Sequence, residues 1–178
     1  MGWLYIVIPL GILSIYIISV FNQIVRYDAK ILESFSNIDV ALSKRYHVLT
    51  QLFDVAKGYA KYERETILDI ISLRKGSNLE EKAQAEGQLN HGFERIVALA
   101  ETYPDLKADR LFKNLQDAAK DAEEHLQAAR RLYNSNVTLY NQRIKTFPGL
   151  LIASNMKTTH YDLYKAPEFE THNVNLNL

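Results

Sequence analysis

Five histidines, at 47, 91, 125, 160 and 172, are the first place to look for chemistry, and no two of them lie three or four residues apart. Two imidazoles on one helix face need that spacing to share a metal ion. His47 and His125 would have to meet across a bundle to hold a haem or a metal, and each sits among polar neighbours that read as a solvated face. Carboxylates cluster at Glu63 with Glu65 and at Asp121 with Glu123 and Glu124, but the di-metal pattern of helical bundles requires Glu-x-x-His on two helices, and the sequence has none. These clusters read as charge on solvated faces. There is no cysteine, which removes disulfides, thiolate metal sites and cysteine nucleophiles. Phosphate-binding glycine loops, H-E-x-x-H and G-x-S-x-G are absent as well. The sequence therefore predicts no enzyme activity and no cofactor.

A second set of polar residues lies beside apolar stripes. Tyr133-Asn134 and Tyr140-Asn141 recur seven residues apart, so both asparagines point the same way from one helix, with Arg130, Arg131 and Arg143 flanking them. Asp39, Lys44, Arg45 and Tyr46 occupy the matching margin of an earlier helix. A buried asparagine or an Asp–Arg pair in a helical core fixes register and partner choice at a cost in stability. Asp39, Arg130, Asn134 and Asn141 are the candidates for that role, and a polar ligand pocket is the competing reading.

Such residues need long helices to position them, and the chain is built for helices. It has only four prolines and seven glycines in 178 residues, and its middle is rich in Ala, Glu, Lys, Leu and Arg. Lys+Arg and Asp+Glu balance at 21 each, so no overall field draws in nucleic acid. Met1 to Val25 carries no charged side chain, and Trp3 to Phe21 is almost unbroken apolar sequence. About 20 residues of helix cross a bilayer, so residues 1–25 read as a transmembrane anchor. A cleaved signal peptide would need a basic start and a small-x-small cleavage site, and neither is present. Arg26, Lys30, Lys44 and Arg45 follow the span, which places the soluble part in the cytoplasm. Gly11 and Ser14, small residues on adjoining turns, are candidate contacts between neighbouring anchors.

An apolar register then runs through Ile31, Phe35, Ile38, Leu42, Tyr46, Leu49, Phe53, Ala56, Ala60, Ile67 and Ile70, mostly in alternating fours and threes. It predicts that the anchor continues without a break into a bundle helix ending near Arg74, over about 105 Å. Ser77 and Glu80 read as a capping box opening a second helix over 78–103, with Leu79, Ala83, Phe93, Ile96 and Ala100 inside. A third helix is predicted over 107–146, with a stripe from Phe112 through Leu115, Ala119, Ala122, Leu126, Ala129, Tyr133, Val137, Tyr140 and Ile144 to Phe147. It is too long to match the second, so it either overhangs or bends at Asn134–Asn136. Residues 150–178 form a C-terminal segment with a short helix over 151–164. Its tail alternates polar and apolar residues in a strand period. Val174, Leu176 and Leu178 then either fray or pair with a copy of the chain. The expected fold is all-α: one transmembrane helix continuous with an antiparallel bundle over 26–149, plus a short C-terminal helix and a strand-like tail.

The chain resembles the LemA family. The likeness lies in Ser36-Asn37-Ile38-Asp39-Val40, Lys44-Arg45-Tyr46, Val55-Ala56-Lys57-Gly58-Tyr59-Ala60 and Tyr103-Pro104-Asp105-Leu106-Lys107-Ala108. It is densest at Ala129-Arg130-Arg131-Leu132-Tyr133-Asn134, Tyr140-Asn141 and Phe147-Pro148. Thr50 stands where the family often has proline, which favours an uninterrupted first helix. The resemblance implies a bacterial membrane-anchored helical bundle with its N-terminus outside, and it brings no catalytic residues. From these readings the expected role is a structural or scaffolding protein of the inner membrane that self-associates, its partners being the lipid bilayer and its own copies. The alternative is a membrane-anchored adaptor that docks another protein through the margin around Asp39, Arg130 and Asn134.

Overall fold

The computed structural model describes residues 3–59, 78–156 and 158–165. Among these residues the chain is all-α, a bundle of five helices without a strand. They are α1 (Leu4–Ala56), α2 (Leu79–Thr102), α3 (Pro104–Ala108), α4 (Arg110–Lys145) and α5 (Gly149–Met156). The apolar run and the first bundle helix are one element, as the register predicts. It closes earlier than the expected end near Arg74. Gly58 N donates to Val55 O and Tyr59 N to Ala56 O, both three residues back, so Lys57–Tyr59 form turns in place of a continued ladder. Residues 60–77, which hold Ala60, Ile67, Ile70, Arg74 and the expected Ser77 cap, lie outside the described residues.

The second helix opens one residue later than expected. Asn78, not Ser77, is its N-cap, accepting a hydrogen bond from Glu81 N at 2.8 Å. The expected third helix is two elements. Pro104 opens α3 at a position where its missing N–H costs nothing. Asp109 then ends α3 and caps α4, accepting from Leu111 N at 2.7 Å and Phe112 N at 3.0 Å. From there α4 runs unbroken through Asn134–Asn136.

The described residues fold as two compact units, those within 3–35 and 131–163, and those within 36–130 with 164–165. In the first unit α1 buries Val20, Ile24 and Ile31, and α4 buries Tyr133, Val137, Tyr140 and Ile144. α5 contributes Ala153. Phe35 meets Tyr133 at 6.0 Å between ring centres, and Tyr140 meets Tyr161 edge-on at 5.2 Å. Phe147, placed on the α4 stripe by its spacing, is 80% exposed in the turn beyond the helix. Gly149 is needed where that turn enters α5, because a Cβ there would run into the Arg143 carbonyl oxygen.

In the second unit the stripe residues Ile38, Leu42, Leu49, Phe53 and Ala56 of α1 are buried, together with Leu89, Ile96 and Ala100 of α2. Leu106, Phe112, Ala122, Leu126 and Ala129 complete this core. Gly92 lets α2 close on α1, since a Cβ at that position would meet Leu49 Cδ2 at 2.7 Å. Residues 166–178, with the expected strand-like tail of Val174, Leu176 and Leu178, lie outside the described residues.

Candidate functional site

Charged side chains occupy the middle of the second unit. On α2 the row Lys82, Glu86, Asn90 repeats every four residues, which holds the three on one helix face. That face is the buried one: the Lys82 and Glu86 side chains are fully covered. The Lys82 ammonium pairs with Asp39 of α1, whose side chain stays 46% exposed. Glu86 uses both oxygens, accepting from Arg130 Nη1 of α4 and from the Tyr164 hydroxyl at 2.7 Å. The Arg130 guanidinium also lies 6.0 Å from the centre of the Tyr164 ring.

Arg45 forms the second half of this layer. Its Nη2 donates to Asn90 Oδ1 at 2.7 Å and lies 2.9 Å from Glu123 Oε2, while its guanidinium sits 5.2 Å from the centre of the Phe93 ring. Glu123 lies within 4.0 Å of Arg130 on its other side. Asn90, Arg45, Glu123, Arg130, Glu86 and Tyr164 therefore form one connected chain of contacts, with Asp39 and Lys82 alongside. Three basic groups meet three acidic ones: Lys82, Arg45 and Arg130 against Asp39, Glu123 and Glu86. Buried charges survive only when compensated in this way.

The first unit has its own polar layer. Asn136 Nδ2 donates to Lys30 O and Ser34 Oγ of α1, both at 3.3 Å. Asn141 grips the extended segment after α5 at both ends of its amide: Nδ2 donates to Tyr161 O at 2.8 Å, and Oδ1 accepts from Tyr161 N at 3.2 Å. The Tyr161 hydroxyl donates to Asp28 Oδ1 at 2.8 Å. Burial, and then that hydrogen bond to a carboxylate, push the phenol up to about 12 from its ordinary 10.0. Tyr133 adds a hydrogen bond from its hydroxyl to Asp162 O at 3.1 Å.

The residues singled out from sequence are thus placed as follows. Asp39 and Arg130 both belong to the charged layer of the second unit, Asp39 at its open edge beside Lys82 and Arg130 beside Glu86. Asn141 holds backbone, and Asn134 is half-buried on α4. Ser14 turns its hydroxyl onto Leu10 O at 2.9 Å, and Gly11 has open space around it. Glu123 is a correction: it is no solvated charge but a half-buried partner of Arg45. Lys82, Glu86, Asn90 and Asn136 were not among the sequence candidates, and the first three carried a readable signal, a polar row at the period of the buried stripe.

Each charge of this layer faces one of opposite sign. Among the described residues no three His, Cys, Asp or Glu side chains gather as metal ligands would. The contacts of this layer join three helices, α1, α2 and α4, to the segment at Tyr164. A sequence model of the LemA family matches residues 34–177, a span that contains every residue of both polar layers except Asp28 and Lys30. The chain belongs to the LemA family. A relative is Protein LemA of Metamycoplasma hominis, 28% identical over 179 residues, an alignment covering 94% of this chain and 78% of that protein. For this LemA family member the α1 helix is long and apolar enough over its first part to cross a membrane.

Proposed function

We propose that this LemA family protein is a non-enzymatic, membrane-anchored scaffold whose copies self-associate at a bacterial inner membrane. The supporting observation is the bare beginning of α1. Every residue from Trp3 to Ser19 is exposed, while the same helix from Val20 onward is one wall of a packed bundle. An apolar helix left uncovered over that length is stable only in an apolar solvent, and a bilayer supplies one. The basic residues after the span favour a cytoplasmic bundle and an outside N-terminus. The balanced charges of the second unit's layer favour a scaffold, because they face one another and not a ligand.

The test is the mass of the detergent-purified full chain by light scattering, with and without residues 173–178. An oligomer is expected, and a monomer in both forms would overturn the reading. Asp39, half open to solvent at the edge of its pair, is the residue through which the adaptor alternative is checked. A specific partner lost on Asp39→Ala, with self-association unchanged, would replace the scaffold by an adaptor.

A further inference from the structure

The turn after α4 and the start of α5 carry apolar side chains that the bundle leaves uncovered. Phe147 is 80% exposed, Leu150 55% and Leu151 57%. Their level along α1 follows from the first unit's register. Phe35 faces Tyr133, and Asn136 reaches Lys30 and Ser34, so α4 runs antiparallel to α1 with Asn136 about level with residue 32. One residue forward on α4 matches one residue back on α1, which brings Phe147 level with Phe21. Burial gives the same level independently: from Trp3 to Ser19 α1 is bare, and Val20 is the first covered residue. The turn is therefore the edge of the bundle that faces the apolar run.

From these observations we infer that Phe147, Leu150 and Leu151 form a second membrane contact, a foot resting in the surface of the bilayer that α1 crosses. This rests on the membrane-anchor reading above. The first charge on α1, Arg26, lies six residues beyond Val20, about 9 Å along the helix. The foot is thus on the lipid side of the first charge, at the depth where amphipathic elements bury an apolar face in the headgroup boundary. Charge agrees with that placement. Lys145 and Arg26 are exposed beside this edge, and no Asp or Glu occurs between Glu124 and Asp162. A surface of that sign suits anionic headgroups. Two attachments, the helix and the foot, would fix the tilt of the first unit against the membrane.

The chain has no cysteine, so single nitroxide labels can be placed cleanly. Phe147→Cys, Leu150→Cys and Leu151→Cys alter exposed positions only. Leu139→Cys, also exposed but farther along α4 from this edge, is the aqueous control, and Ile12→Cys reports the anchor. Each labelled full chain is reconstituted in vesicles of phosphatidylcholine and phosphatidylglycerol, and accessibility to oxygen and to a water-soluble nickel chelate is read by power saturation. The ratio of oxygen to nickel accessibility is expected to be several-fold higher at 147, 150 and 151 than at 139. Equal ratios with a deep label at 12 would overturn the foot and leave the anchor standing. Exclusion of both probes at the three sites would mean a protein cover, such as a second copy, and would also overturn it. A water-exposed label at 12 would overturn foot and anchor together.

Discussion

Glu86 has no contact with solvent, and its two oxygens serve a guanidinium and a phenol. Removing one partner of such a pair strands the other as an uncompensated buried charge, at a cost of about 3–5 kcal/mol. Glu86→Ala should therefore lower the stability of the detergent-solubilised chain by that order, read by chemical denaturation. Lys57→Ala breaks an exposed pair with Asp54 one turn away and should change stability by less than about 1 kcal/mol. In a double-mutant cycle, Glu86 and Arg130 should couple more strongly than Asp39 and Arg130. Tyr161 extends the argument to pH. Its folded-state pKa is raised to about 12, so the native state holds the phenolic proton where the unfolded chain has lost it. Its contribution is complete below about pH 10 and is lost as the pH rises towards 12. Tyr161→Phe should accordingly flatten part of the alkaline loss of stability between those values, measured against the unsubstituted protein.

The helices of the bundle were legible wherever burial follows apolar side chains. Ile31, Ile38, Leu42, Leu49, Phe53 and Ala56 stand out at helical spacing, and all six are buried. The polar core was not legible by that route, because a stripe search passes over Lys82 and Glu86 by type even though their spacing belongs to the buried face. Helix ends were hidden for a different reason. Ala56 and Asp109 are termini set by two local hydrogen bonds each: Gly58 N and Tyr59 N donating three residues back, and a carboxylate accepting from Phe112 N and Leu111 N. The Phe112 N–H first, and then the Tyr59 hydroxyl, which donates to Asp109 Oδ2 at 2.9 Å, hold the Asp109 carboxyl below its ordinary 3.8. Asp109→Ala should speed amide hydrogen exchange at Leu111 and Phe112 without affecting the middle of α4, since it leaves two helix N–H groups without an acceptor. Gly149 is a similar single-residue determinant. Gly149→Ala places a methyl group against the Arg143 carbonyl and should destabilise the turn by about 1–3 kcal/mol, seen as faster exchange across α5.

For the molecule as a whole, the proposed self-association needs a force that drives one copy towards another. Lys+Arg and Asp+Glu cancel over the chain, and the buried layer of the second unit is itself neutral. Long-range attraction or repulsion between copies is therefore weak, and association through the apolar run would depend on how closely the helices approach in lipid. On the scaffold proposal Gly11 would set that approach, since nothing lies within 4 Å of where its Cβ would be, while Ser14 keeps its hydroxyl on its own helix. Both can face a neighbour without burying an unsatisfied polar group. Gly11→Leu should reduce the oligomer mass in detergent, whereas Ile12→Leu, equal in size to the residue it replaces, should not. Raising the salt concentration should leave both masses unchanged, because screening acts on charges that this association does not use. A mass that falls with salt but ignores Gly11→Leu would transfer the contact from the anchor to the charged surface of the bundle.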